Sequence, residues 1–76
     1  SKTINLRTVE SEIAKPLKVV QENNIDVEIG SYPFFKAGKT GVAIVLRSED
    51  ESKISVCNNQ ILKFINSKKI QLIDRD

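Results

Sequence analysis

The stretch from Ile25 to Ser48, IDVEIGSYPFFKAGKTGVAIVLRS, constrains the fold more than any other part of the chain, because pattern, turn chemistry and aromatic content coincide there. Ile25, Val27 and Ile29 alternate with Asp26 and Glu28, the period that a half-buried strand produces. Gly30 is expected to end this run, in a positive-φ conformation, where the chain turns. Pro33 fixes its own φ and biases Tyr32 toward extended geometry, so Gly30, Ser31, Tyr32 and Pro33 read as a rigid corner. A polar loop holding Gly38 and Gly41 follows. Val42 to Leu46 is then an unbroken apolar run, the pattern of a central strand buried on both faces.

The flanking segments supply what would cover this β-loop-β unit. Thr3 to Arg7 alternates Ile4 and Leu6 with polar neighbours and reads as a short first strand. Val9, Ile13, Leu17 and Val20 fall on one helical stripe, with Glu10 and Glu12 in the first turns, where they complement the helix dipole. Thr8 is the expected cap. Pro16 conflicts with an uninterrupted helix, so either the helix kinks there or Ser11 is the cap and Pro16 sits early. Asn23 and Asn24, which tolerate left-handed geometry, are expected to end it.

Beyond the central strand, Ser48 to Glu51 has the spacing of a capping box, with Ser48 at the cap. Ile54, Cys57, Ile61 and Ile65, joined by Leu62 and Phe64, give the second helix its apolar face, and Asn66 with Ser67 can end it. Ile70, Leu72 and Ile73 form the last strand. The order β-α-β-β-α-β predicts an α+β sandwich of ferredoxin-like type: a four-stranded antiparallel sheet with both helices on one face. With 76 residues, residues 1–76 read as one α/β module. A chain that enters a strand almost at once reads as a piece excised from a larger multidomain protein.

Within this stretch, DVEIGSYPFF followed by GVAIVLRSED resembles the α/β module that follows the molybdopterin-binding-like domain of eukaryotic FAD synthases. A related corner occurs in the competence/damage-inducible protein A family. The preceding SEIAKPL also fits the acidic, Ile-Ala-containing helix start that those proteins carry before this strand. The resemblance implies a middle module, lying beyond the pocket of the first domain. It also implies that the nucleotide chemistry belongs to flanking domains.

Composition narrows the chemistry. The chain has no histidine, which removes the commonest general base and transition-metal ligand. Its one cysteine excludes an internal disulfide and suits a reducing, cytoplasmic setting. Cys57, on the apolar stripe of a helix, reads as a core residue rather than a nucleophile. Glu49, Asp50 and Glu51 already have a reason to sit at a helix start, so no metal site is expected from them. We therefore expect no catalytic residue, cofactor or metal ligand. A net charge of +2 without clustering argues against nucleic acid or an anionic membrane as the main partner, and no apolar run approaches a membrane span.

Two motifs remain as candidate sites. Gly38-Lys39-Thr40-Gly41 has the GxxG form by which K-homology domains clamp nucleotides. That clamp joins two helices, whereas this element lies between two expected strands, where it reads as a solvated hairpin loop. An RNA-recognition motif would need aromatics on its first and third strands, and neither TINLR nor GVAIVLRS has one. The aromatics instead cluster at Tyr32, Phe34 and Phe35. One or two of these rings can cap the open end of the core, and the family motif from Gly30 to Phe35 otherwise reads as an interface for a neighbouring domain or a second subunit. A small-ligand regulatory module is the remaining alternative.

Overall fold

The computed structural model describes residues 1–73. Strands β1 (Lys2–Arg7), β2 (Glu28–Lys36), β3 (Lys39–Arg47) and β4 (Gln71–Leu72) alternate with helices α1 (Glu10–Asn23) and α2 (Glu51–Lys68) in the expected β-α-β-β-α-β order. The sheet order is β2-β3-β1-β4, and every neighbouring pair is antiparallel. This is the ferredoxin-like arrangement.

Alternation decides which side of the sheet the helices cover. Ile4 and Leu6 of β1 stand opposite Ile44 and Val42 of β3, and these four join Leu46 in one buried cluster. Ile13 and Val20 of α1 and Ile54, Cys57, Ile61 and Ile65 of α2 complete it, so both helices pack on the same face. Cys57 is fully buried, and burial pushes its thiol pKa up.

Several local expectations are corrected. Neither Thr8 nor Ser11 caps α1: Val9 holds the N-cap position with no side-chain cap bond, and Pro16 lies inside the helix. Its absent N–H removes the helical donor for the carbonyl of Glu12. Asn24, at the other end, does not adopt left-handed geometry (φ −136°) but works through its side chain. Its Nδ2 donates to the carbonyl of Val20 at 2.7 Å and to Gln60 Oε1 of α2 at 2.8 Å. Gln21 continues the clasp. Its Nε2 donates to the carbonyl of Val27 at 2.8 Å, and its Oε1 accepts from the N–H of Ile29 at 3.2 Å. These bonds hold residues 24 to 27 as a turn. The second strand therefore starts at Glu28, and Ile25 is left 83% exposed.

The start of α2 shifts as well. Asp50, not Ser48, is its N-cap, and its Oδ1 accepts from the N–H of Ser52 at 2.9 Å and from the Ser52 hydroxyl at 2.6 Å. Ser48 Oγ accepts from the N–H of Asp50 at 3.2 Å and so braces the turn before the helix. The bonds from Ser52 hold the Asp50 carboxyl below its ordinary pKa. Lys53 Nζ donates to Asp26 Oδ2 at 2.6 Å, joining α2 to the α1–β2 turn, and this bond raises the lysine pKa.

Asn66 and Ser67 lie within α2, which ends at Lys68 in a Schellman motif. Lys69 is left-handed (φ 57°), its N–H bonds the carbonyl of Asn66, and the N–H of Ile70 bonds the carbonyl of Ile65 at 3.0 Å. Ile70 thereby turns onto the core, and β4 is confined to Gln71 and Leu72. The N–H of Ile73 still reaches the carbonyl of Asn5 at 3.0 Å.

Candidate functional site

The main departure from the sequence reading is also what builds the candidate site. Gly30 does not end a strand, and Gly30 to Pro33 is not a corner. The whole segment from Gly30 to Phe35 lies in β2 and pairs residue by residue with β3: Gly30 with Val45, Tyr32 with Ala43, Pro33 with Val42, Phe34 with Gly41 and Phe35 with Thr40. A proline fits because β2 is an edge strand, where an absent N–H need not interrupt the ladder and also discourages pairing with another chain.

Gly30 has no positive φ; among the glycines that property belongs to Gly38 (φ 77°). With Ala37 (φ 54°), Gly38 forms the two central residues of a tight turn between Lys36 and Lys39, the backbone signature of a primed hairpin turn. The expected glycine-rich loop is thus two residues long. Lys39, Thr40 and Gly41 belong to β3, so Gly38 to Gly41 is a turn running into a strand.

Strand pairing divides the three aromatic residues between two surfaces. Tyr32 and Phe34 share the side of Ala43 and Gly41, the open face away from the helices, while Phe35 points to the other side. None of the three belongs to the core cluster.

Both open-face rings lie down over glycines. A Cβ on Gly30 would stand 2.8 Å from Tyr32 Oη and 2.9 Å from its Cε2. A Cβ on Gly41 would collide with the Phe34 ring, 2.7 Å from its Cε1, and would meet the carbonyl of Leu6 at 3.0 Å. These two glycines make room for rings rather than for a turn. The period that reveals this, glycine-x-Tyr-x-Phe, is present from Gly30 to Phe34 in the sequence.

The expectation that β3 is buried on both faces is met in a different way. Val42, Ile44 and Leu46 lie under the helices, whereas Ala43 is buried on the open face between its cross-strand neighbours Tyr32 and Asn5. Val45 is half-buried there.

Charge is sorted by the same alternation. Arg7, Lys36, Lys39 and Arg47 fall on the open-face side of their strands, against Glu28 as the acidic residue of these strands on that side. Arg47 and Glu28 pair at 3.5 Å at one end. At the other end Lys36 and Lys39 stand directly opposite each other, and Arg7 Nη1 donates to the carbonyl of Thr40 at 3.2 Å. Like charges opposite each other across a ladder are unfavourable, and Glu12 lines the groove beside Arg7 and Lys39.

On the helix side, the hairpin runs past β1, whose pairing with β3 stops at Val42. Phe35 projects there, 71% exposed, and its cross-strand neighbour Thr40 lines a groove with Val9 (43% exposed) and Glu12. Among the described residues, no group of three or more His, Cys, Asp or Glu side chains could hold a metal ion, and no helix is long and apolar enough to cross a membrane.

These features define a ferredoxin-like α+β module whose distinctive surfaces are the open sheet face and the end of its β2–β3 hairpin. The family model described as FAD synthase, middle domain, matches residues 1–74, and the chain belongs to that family. Comparison with curated proteins and with solved structures gave no match.

Proposed function

We propose that the chain is a non-catalytic accessory module of a cytoplasmic FAD synthase-like protein, following a molybdopterin-binding-like domain and docking against a neighbouring domain of the parent chain or a second subunit. The observation that carries this reading is Phe35, a large apolar side chain exposed at a hairpin end that the described elements leave uncovered. Exposed aromatics are the usual anchors of protein interfaces, and Val9, which lines a groove with Thr40, the cross-strand neighbour of Phe35, is a further exposed apolar residue. Membership of a family named for its middle position supports a role between other domains.

The test compares Phe35→Ser in the 76-residue module with the same change in the parent chain. In the module the change is expected to alter stability by no more than about 0.5 kcal/mol, as for other exposed positions. Association with the rest of the parent protein, measured by calorimetry on separated parts, is expected to weaken roughly tenfold or more. Unchanged association contradicts the proposal.

A further inference from the structure

The end of the module away from the hairpin carries a second exposed apolar surface. Ile25 is 83% exposed and Val56 of α2 is 53% exposed, and the two line one groove between the α1–β2 turn and the start of α2. Isoleucine is an unfavoured turn residue, since it supplies neither a local hydrogen bond nor left-handed geometry. It is nevertheless held firmly here. Gln21 Nε2 donates to the carbonyls of Asn24 and Val27 on either side of it, the N–H of Val27 bonds the carbonyl of Asn24 at 3.0 Å, and Lys53 ties Asp26 to α2. The two charged residues of the lining, Asp26 and Lys53, are paired with each other. A preorganised apolar surface whose ions already neutralise one another suits an apolar patch of protein better than a charged ligand.

Topology places the entry to β1 at this same end. Lys2 stands opposite Leu46 and Glu28 opposite Arg47, so β1 and β2 start side by side with β3 between them, about 10 Å apart. β4, by contrast, has its last residue, Leu72, opposite Leu6 near the other end of β1. A domain joined ahead of β1 is therefore delivered beside Ile25, while the hairpin end with Phe35 points away from it. We propose that Ile25 and Val56 form a second docking surface, whose occupant is the domain preceding this module in the parent chain. That such a domain precedes it rests on the functional reading above, but the surface is separate from Phe35. The covalent join raises the effective concentration of that domain at the groove, so a small apolar contact suffices to hold it.

The experiment is hydroxyl-radical footprinting of the 76-residue module and of the intact parent chain, with an amine-anchored photo-cross-linker used on the parent to identify what covers the groove. Ile25 and Val56 are expected to be oxidised severalfold more slowly in the parent chain than in the module. Cross-links from Lys53, which is exposed beside both, are expected to reach the preceding domain. In the parent chain, Ile25→Ser is expected to return Val56 to the rate seen in the module, and Phe35→Ser to leave that rate unchanged. Since Ile25 is so exposed, Ile25→Ser should leave the module folded, which circular dichroism checks.

Oxidation of Ile25 in the parent chain as fast as in the module overturns the proposal. So do cross-links from Lys53 that reach only a following domain or a second copy, and so does a parent chain with no folded domain ahead of the module. Phe35 reports separately in the same footprint. Protection at Phe35 without protection at Ile25 removes this second surface and leaves docking at the hairpin standing, whereas the reverse pattern removes docking at Phe35 alone.

Discussion

The phenol of Tyr32 lies across Gly30, two residues before it on the same strand, so closely that a Cβ at Gly30 would meet its Oη at 2.8 Å and its Cε2 at 2.9 Å. Gly41 is related to Phe34 in the same way across the ladder. Each glycine is a seat for a ring, which is how an open sheet face carries aromatics without a second layer above it.

The first prediction separates the glycines by what a methyl group would strike. At Gly30 it strikes the far end of a side chain that can swing away, so Gly30→Ala is expected to cost about 1 kcal/mol or less. At Gly41 it strikes both the Phe34 ring and the Leu6 backbone carbonyl, and Gly41→Ala is expected to cost about 2–3 kcal/mol. Urea denaturation gives both values. A larger loss at Gly30 than at Gly41 contradicts the packing described.

A second prediction concerns Gln21 and Asn24, whose side chains tie the end of α1 to the start of β2 and to Gln60 of α2. Gln21→Ala leaves the N–H of Ile29 and the carbonyl of Val27 without their side-chain partner in a half-buried turn. A loss of about 1–3 kcal/mol is expected, against about 0.5 kcal/mol for the exposed neighbour Glu22→Ala. Equal effects at the two positions in thermal or urea unfolding contradict the clasp.

The expected corner and the polar clasp show where sequence reading succeeds and where it stops. Apolar periodicity placed Ile13, Val20, Ile54, Cys57, Ile61 and Ile65 on the core, because burial of a helix stripe depends on spacing alone. Element order then led to the sheet. Gly30 and Pro33 misled because each is an ordinary strand breaker, and their tolerance here depends on two long-range facts: β2 is an edge, and a ring needs room over Gly30.

The capping residues misled for another reason. Ser48 and Asp50 are both good caps two positions apart, and the choice between them depends on how β3 delivers the chain to α2. The aromatic content was legible, but its division between two faces depends on a register that begins at Glu28 rather than Ile25. Asn24 and Gln21 act through their side chains rather than through backbone conformation. Their bonds to Gln60, Val27 and Ile29 span elements that composition does not connect.

A third prediction uses the Asp50 cap. Hydrogen bonds from Ser52 lower the carboxyl pKa in the folded chain relative to the unfolded one. The stabilisation is therefore fully present above the unfolded-state pKa and is lost as pH falls through the folded-state value. Asp50→Ala is expected to lower Tm at pH near 7 and to differ less from the parent sequence as pH falls toward about 3. A Tm difference that does not change with pH contradicts the role of the ionised carboxylate.

The proposed docking depends on the register that puts Phe35 on the helix side and Tyr32 on the open face, so the most direct test is to measure that register. In NMR spectra of the module, backbone proton contacts are expected along the ladder between Tyr32 and Ala43, Phe34 and Gly41, and Phe35 and Thr40, with the Phe34 ring in contact with Gly41. Contacts in this order, running unbroken through Pro33, support the account. A β2 ladder that stops at Gly30, or one slipped by a single residue so that Phe35 joins Gly41 on the open face, contradicts it.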